Sequence, residues 1–161
     1  MTKWQEYLPL YKQQLAETPL QKTYCSLLHY VRELAAFYAK ATTQHYSIGN
    51  VSPGYMDFTY FPLVNDFLKA RKLRFGIVLN HKELCFELRL MGQNADVQNE
   101  YRSLLKDTPR NKTLTKKPRY AELKIILVKE PDFSDLKKLS KLITKQADFH
   151  SHEVLNFLEK N

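Results

Sequence analysis

The sequence predicts an α+β domain in which about four antiparallel or mixed strands pack with N-terminal, middle and C-terminal helices. Apolar residues recur at helical spacing near both ends of the chain. Between these regions lie shorter apolar segments of strand length. Two of them, residues 73–79 and 84–90, flank a short polar turn, which indicates an antiparallel hairpin.

Two helices are predicted in the N-terminal part. In residues 3–16 apolar side chains recur every three or four positions, and Pro9 should shorten or kink the start of this helix. This stripe consists of Trp4, Tyr7, Leu8, Tyr11 and Leu15. Thr18, Pro19 and Gln21 then match a capping box. A long apolar stripe follows, so the second helix is expected to run to about residue 42.

The middle of the chain should form most of the sheet. Residues 55–61 are typical of a strand that Pro62 closes, and residues 63–69 of a short helix. In the hairpin that follows, we take residues 80–83 as a turn of two-residue type. Pairing across it places Leu79 beside Leu84, and both apolar faces then coincide.

The C-terminal third adds a helix, a strand and a last helix. Asn94 is expected to cap a helix with Asp96 in its first turn. Residues 107–119 form a polar, Lys-rich loop, residues 122–128 a fourth strand, and a long apolar stripe after Pro131 the last helix. The fourth strand is expected at an edge of the sheet. A homodimer formed by strand pairing at this edge is therefore one alternative.

The opposite face of the hairpin carries a candidate ligand site. The register given above pairs Arg74 with Arg89, and Glu87 lies diagonal to Arg74. Arginines directly opposite each other are unfavourable unless an anion lies between them. If Asp57 shares this face, four charged side chains form a cluster beside a dip left by Gly76.

This face has three competing interpretations, one of which is a surface that binds a partner protein. The face is either a half-exposed surface whose charge pairs contribute little, or the floor of a pocket whose arginines bind a small anionic ligand bidentately. The predicted ligand-binding residues are Tyr55, Asp57, Arg74, Glu87 and Arg89.

The basic charge supports an alternative function. The net charge is +8, and residues 63–120 hold 13 Lys and Arg against 6 Asp and Glu. A basic nucleic-acid-binding module would place phosphate contacts on the loop. The residues are Lys112, Lys116, Lys117 and Arg119. The order of elements also matches a nuclease-like scaffold. This scaffold would be degenerate, because Glu87-Leu88-Arg89 lacks the lysine of the Glu-x-Lys triplet and the preceding strand has no carboxylate.

Other chemistry is largely excluded. The sequence has no phosphate-binding glycine loop, no zinc-ligand spacing and no Gly-x-Ser-x-Gly elbow, so no cofactor, metal or catalytic residue is predicted, and binding is favoured over enzyme activity. Cys25 and Cys85 lie in apolar patterns and should be buried and inert. Without a signal peptide or a membrane-spanning run, we expect one cytoplasmic domain over residues 1–161.

Three segments carry a resemblance. Residues 54–61 (GYMDFTYF), 71–94 and 130–133 (EPDF) resemble an uncharacterised bacterial domain-of-unknown-function family. The resemblance implies a cytoplasmic bacterial protein with one compact domain and brings no activity, substrate or cofactor. In that family an apolar or aromatic residue often stands at the position of Arg89, which counts against an arginine pair common to all members. A family-wide site would be sought at Tyr55, Asp57, Tyr60, Asn80 and Gln93.

Overall fold

The structure is a computed structural model that describes residues 3–105 and 123–161. Its elements confirm the α+β class. In chain order they are a 3-10 helix (Lys3–Tyr7), α1 (Leu8–Glu17), α2 (Leu20–Ala41), β1 (Ser47–Ile48), β2 (Phe58–Val64), α3 (Asp66–Ala70), β3 (Leu73–Asn80), β4 (Cys85–Gly92), α4 (Ala95–Leu105), β5 (Leu123–Val128) and α5 (Leu136–Lys160).

The described strands form one sheet in the order β1-β2-β3-β4-β5, with every neighbouring pair antiparallel. The sheet has one strand more than the four expected, because the two residues of β1 are too few to show an alternating pattern. Pro62 lies inside β2 rather than closing it. Its carbonyl accepts a hydrogen bond from the Gly49 amide at 3.0 Å, so the missing N–H does not interrupt pairing with β1.

The core lies between one face of the sheet and the two long helices α2 and α5. Burying each large apolar side chain there contributes about 1.5–3 kcal/mol. Polar contacts fix the two helices together: the Tyr38 hydroxyl donates to Asp148 at 2.8 Å, and the Tyr30 and Ser140 hydroxyls lie 3.1 Å apart. Asp148 also accepts from the Thr42 hydroxyl at 2.7 Å, which ties the end of α2 to α5.

The hairpin register differs by two residues from the one predicted. Leu79 pairs with Phe86 rather than with Leu84, because the β3–β4 loop spans residues 81–84 instead of a two-residue turn. Asn80 stabilises the longer loop, since its side-chain oxygen accepts a hydrogen bond from the Glu83 amide at 3.1 Å. Leu84, the last residue of the loop, adopts a φ of 49°. A two-residue shift leaves each side chain on its expected face, because alternation has a period of two.

The predicted start of α2 also needs correction. The Thr18 hydroxyl donates to the Gln14 carbonyl at the end of α1, and Pro19 occupies the N-cap of α2, so no capping box forms. The predicted cap of α4 is confirmed, since the Asn94 side chain accepts from the Val97 amide at 3.0 Å.

The N-terminal helix departs most from expectation. The segment is helical, as predicted, but none of the ten residues of α1 is buried, and none of the 3-10 helix before it. The first residues of α2 are equally exposed, and Cys25, expected to be buried, faces solvent there. Within the described ranges, every helix is too short or too polar to cross a membrane.

Candidate functional site

The sheet face away from α2 and α5 brings three of the predicted site residues together. On this face β3 contributes Arg74 and β4 contributes Glu87 and Arg89. Arg89 pairs with Gly76, whereas Arg74 pairs with Met91. The expected Arg74–Arg89 pairing is therefore wrong, because the longer loop moves β4 along β3.

Glu87 is the buried centre of this face. Its side chain is 1% exposed, and its Oε2 accepts from Arg89 through Nε at 2.8 Å and Nη2 at 2.7 Å. Its Oε1 accepts from the Asn80 amide at 3.1 Å and lies 3.8 Å from Lys124 Nζ. The Cys85 thiol, 3.7 Å from Oε1, is buried, and burial together with the Glu87 charge raises its pKa to about 11. These contacts give both oxygens of the buried carboxylate hydrogen-bonding or ion-pair partners.

Arg89 is held on two sides. Its guanidinium carbon lies 4.3 Å from the centre of the Phe58 ring, while Nε and Nη2 donate to Glu87. Its Nη1 makes no hydrogen bond with any described residue. The planar group therefore has a fixed position and retains one donor nitrogen for another molecule.

Arg74 differs because it is exposed and forms no ion pair with any described residue. Its Nη2 donates a long hydrogen bond of 3.4 Å to the Tyr60 hydroxyl, and its guanidinium carbon lies 5.9 Å from the centre of that ring. The charge of Arg74 is thus uncompensated within the part of the chain that the structure describes.

A pocket of about 220 Å³ lies between the two arginines. The described residues that line it are Phe58, Tyr60, Arg74, Val78, Arg89, Met91, Gly92, Gln93 and Gln98, and none of these carries a carboxylate. The dip expected at Gly76 is filled, because a Cβ there would lie 2.5 Å from Met91 Cε. Gly76 thus lets the Met91 side chain cross the strand and form part of the pocket wall.

Asp57 and Tyr55 do not belong to this pocket. Asp57 precedes β2, and its Oδ1 accepts from the amides of Tyr55 at 2.8 Å and Phe58 at 2.7 Å, which lower the pKa of the carboxyl. Tyr55 is 94% exposed on the same loop. The shared face expected for Asp57 fails because β2 begins only at Phe58, and the next residue, Thr59, is fully buried on the core side.

The loop that contains Asp57 has a polar contact that sequence reasoning missed. The Thr59 hydroxyl donates to the Pro53 carbonyl at 2.7 Å and therefore accepts from His81 Nε2, also at 2.7 Å. Burial lowers the pKa of His81, and the neutral ring protonated at Nε2 can donate this hydrogen bond. No local pattern signals the contact, because Thr59 lies in β2 and His81 in the β3–β4 loop.

Sequence reasoning also missed the aromatic part of the pocket. Alternation along β2 puts Phe58 and Tyr60 together, opposite Asp57. The hypothesis that Asp57 shares the polar face would put both rings on the other side, but the pairing of Tyr60 with Val78 places them on the pocket face.

The basic loop and the metal ligands were also considered in the sequence. Lys112, Lys116, Lys117 and Arg119 lie outside the described residues. Within residues 3–105 and 123–161, no three His, Cys, Asp or Glu side chains cluster as a metal site would require.

Comparisons with known proteins bear on the family of the chain. No curated protein and no solved structure shows significant similarity to it. The model of a family described as "Domain of unknown function (DUF7000)" matches residues 4–158. This match covers nearly the full length and confirms the resemblance to an uncharacterised family. The chain belongs to the DUF7000 domain-of-unknown-function family.

Proposed function

We propose that the chain is a non-enzymatic binding domain that holds a small anion with an apolar body between Arg74 and Arg89. The observation that carries this proposal is a pocket whose described lining residues supply two guanidinium groups and no carboxylate. A cytoplasmic location, expected from the sequence, is part of the proposal.

The charge of the pocket supports an anionic ligand. Glu87 offsets the charge of Arg89, but Lys124 lies 3.8 Å behind the same carboxylate, and Arg74 has no described ion-pair partner. The cluster therefore keeps an excess of two positive charges. Guanidinium groups bind carboxylate and phosphate oxygens with charge-assisted, often bidentate hydrogen bonds.

The walls and the size of the pocket favour a small ligand with an apolar part. Phe58, Tyr60, Val78 and Met91 supply aromatic and aliphatic surface around the two arginines. A volume of about 220 Å³ is below the usual range of roughly 300–1,000 Å³ for ligand pockets. A single-ring or short-chain carboxylate fits this description better than a nucleotide.

Preorganisation supports binding rather than a purely structural role. Glu87 and the Phe58 ring hold the Arg89 guanidinium in place before any ligand arrives. Binding then costs little side-chain entropy at this residue. Arg74, which is exposed, can move towards the ligand.

The test is a ¹H–¹⁵N NMR titration of the full chain with benzoate, with benzamide as the neutral ligand of the same shape. Benzoate should shift the Arg89 side-chain resonance and the backbone amides of the pocket, whereas benzamide should not. Inorganic phosphate in a parallel titration distinguishes a general anion site from one that needs an apolar body.

The decisive variant is Arg74→Gln, because Arg74 is exposed and forms no ion pair with any described residue. We expect its benzoate affinity to fall at least about tenfold, equivalent to about 1.4 kcal/mol. The matched control is Arg32→Gln on α2, an exposed arginine on the helical side. The absence of resonance shifts with both benzoate and phosphate would contradict the proposal. An equal loss of benzoate affinity in Arg74→Gln and Arg32→Gln would also contradict it.

A further inference from the structure

The N-terminal arm comprises the 3-10 helix, α1 and residues 20–29 of α2, and it buries no residue. Yet it carries large apolar side chains. Trp4 is 62% exposed, Tyr7 55% and Tyr11 65%, and they recur at the spacing of one helical face. Four leucines are also exposed on the arm: Leu8, Leu10, Leu15 and Leu20.

Such an arm is poorly stabilised in a single chain. Helices shorter than about 12–15 residues are marginal in water unless an apolar face is packed. The ten residues of α1 have no buried apolar face, although α1 contacts α2. A partner that covers Trp4, Tyr7 and Tyr11 would supply the missing stabilisation.

We propose that this partner is a second copy of the chain, and that two N-terminal arms pack against each other in a symmetric homodimer. In an antiparallel arrangement centred on Pro9, Tyr7 of one copy faces Tyr11 of the other. The same surface patch then serves both copies, as a two-fold interface requires.

The charge distribution favours self-association at this place. The whole chain carries +8, so two copies repel each other over most of their surfaces. Residues 3–29 hold three lysines against two glutamates and are close to neutral.

The exposed area is sufficient for a dimer. Large aromatic side chains bury about 150–250 Å² each, so the three rings leave on the order of 350 Å² to be covered on each copy. The four leucines add a similar area. Two arms together would then bury on the order of 1,200 Å², the lower limit of a standard interface.

Trp4 is the single tryptophan of the chain, so its fluorescence reports on this interface directly. We expect the mass from sedimentation equilibrium to rise towards about 38 kDa, twice the 19.0 kDa of one chain, across the micromolar range. Over the same range Trp4 emission should shift to the blue, and quenching by acrylamide should weaken. A chain that stays monomeric with a fully quenchable Trp4 would overturn the proposal.

Variants distinguish this interface from others. Tyr7→Gln combined with Tyr11→Gln should leave a folded monomer, because both rings are exposed in the single chain. Phe149→Gln on α5 and Ile126→Thr on the β5 edge remove exposed apolar residues elsewhere and should leave the dimer intact. Dissociation by Ile126→Thr but not by the double tyrosine variant would move the interface to the β5 edge and overturn the proposal.

A charge exchange tests the arrangement itself. Tyr11→Lys should weaken the dimer at least about threefold by placing a charge against the Tyr7 ring of the other copy, and adding Tyr7→Glu should restore most of the affinity because opposite charges then face each other. A double variant that dimerises no better than Tyr11→Lys alone would reject the antiparallel pairing. A blue shift of Trp4 that needs lipid vesicles, or a different protein, would show that the arm has another occupant and would also overturn the proposal.

Discussion

Arg89 turns back along its own strand onto Glu87, so that its Nε and Nη2 lie 2.8 and 2.7 Å from the same carboxylate oxygen. Residues two apart in a strand share a face, which makes this contact possible. Both side chains are nearly inaccessible to solvent. The stability of this sheet face and the position of the pocket donor therefore depend on one ion pair.

Removing Arg89 alone should destabilise the protein strongly. Arg89→Met leaves the Glu87 carboxylate buried without its main partner, which costs about 3–5 kcal/mol. Urea unfolding measures the loss. Arg74→Met, at an exposed arginine, should change the free energy of unfolding by less than about 0.5 kcal/mol.

The double variant Glu87→Leu/Arg89→Met separates two explanations of that loss. If the uncompensated charge is the cause, the double variant should recover most of the stability, since buried ion pairs can often be replaced by apolar residues. A double variant as unstable as Arg89→Met would instead indicate that the shape of the arginine is what matters.

Asp57 should stabilise the loop before β2 in a pH-dependent way. The amides of Tyr55 and Phe58 lower the pKa of its carboxyl below the ordinary 3.8. The stabilisation is therefore present above pH 3.8 and is lost as the pH falls through the lower pKa of the folded state. Asp57→Ala should cost about 0.5–1 kcal/mol at pH 7, because the carboxylate is exposed.

Urea unfolding of wild type and Asp57→Ala at pH 7 and at pH 3 checks this. The difference between the two proteins should shrink at pH 3. The same difference at both pH values would mean that the charge of Asp57 has no part in it, and that the variant acts through the backbone alone.

The two cysteines should react at very different rates. Cys25 is exposed on α2, whereas Cys85 is buried and has a pKa raised to about 11. The thiolate is the reactive form, so an aromatic disulfide reagent should modify one thiol rapidly in the native protein and two after unfolding. Cys25→Ser should abolish the rapid phase, and a rapid phase that survives this change would contradict the assignment.

The nucleic-acid alternative predicts a different set of critical charges. If the loop binds phosphates, replacing Lys112, Lys116, Lys117 and Arg119 with glutamine should weaken binding of labelled oligonucleotides and reduce its salt dependence. Fluorescence anisotropy at low and physiological salt measures both. Benzoate binding should be unchanged in this variant. Oligonucleotide affinity lost instead with Arg74→Gln would place the anion site, not the loop, at the contact.

Long periodic segments were predicted well. The stripe of α2 and the alternation of β3 and β4 gave the elements and the face of each side chain, because burial on one side enforces the period. Short or irregular features were not predicted. The two residues of β1, the position of Pro62 inside β2 and the four-residue loop at 81–84 depend on contacts with distant parts of the chain.

The sequence by itself determined the α+β class, the faces of the central hairpin and the grouping of Arg74, Glu87 and Arg89, since these follow from local periodicity. Only the tertiary structure decided which strand residues are neighbours, that Asp57 lies outside the pocket, and that Glu87 is buried. It also decided that the apolar stripe of α1 faces solvent. Apolar spacing shows that a helix has a face to bury, but the partner for that face is set by packing between distant segments, or between chains.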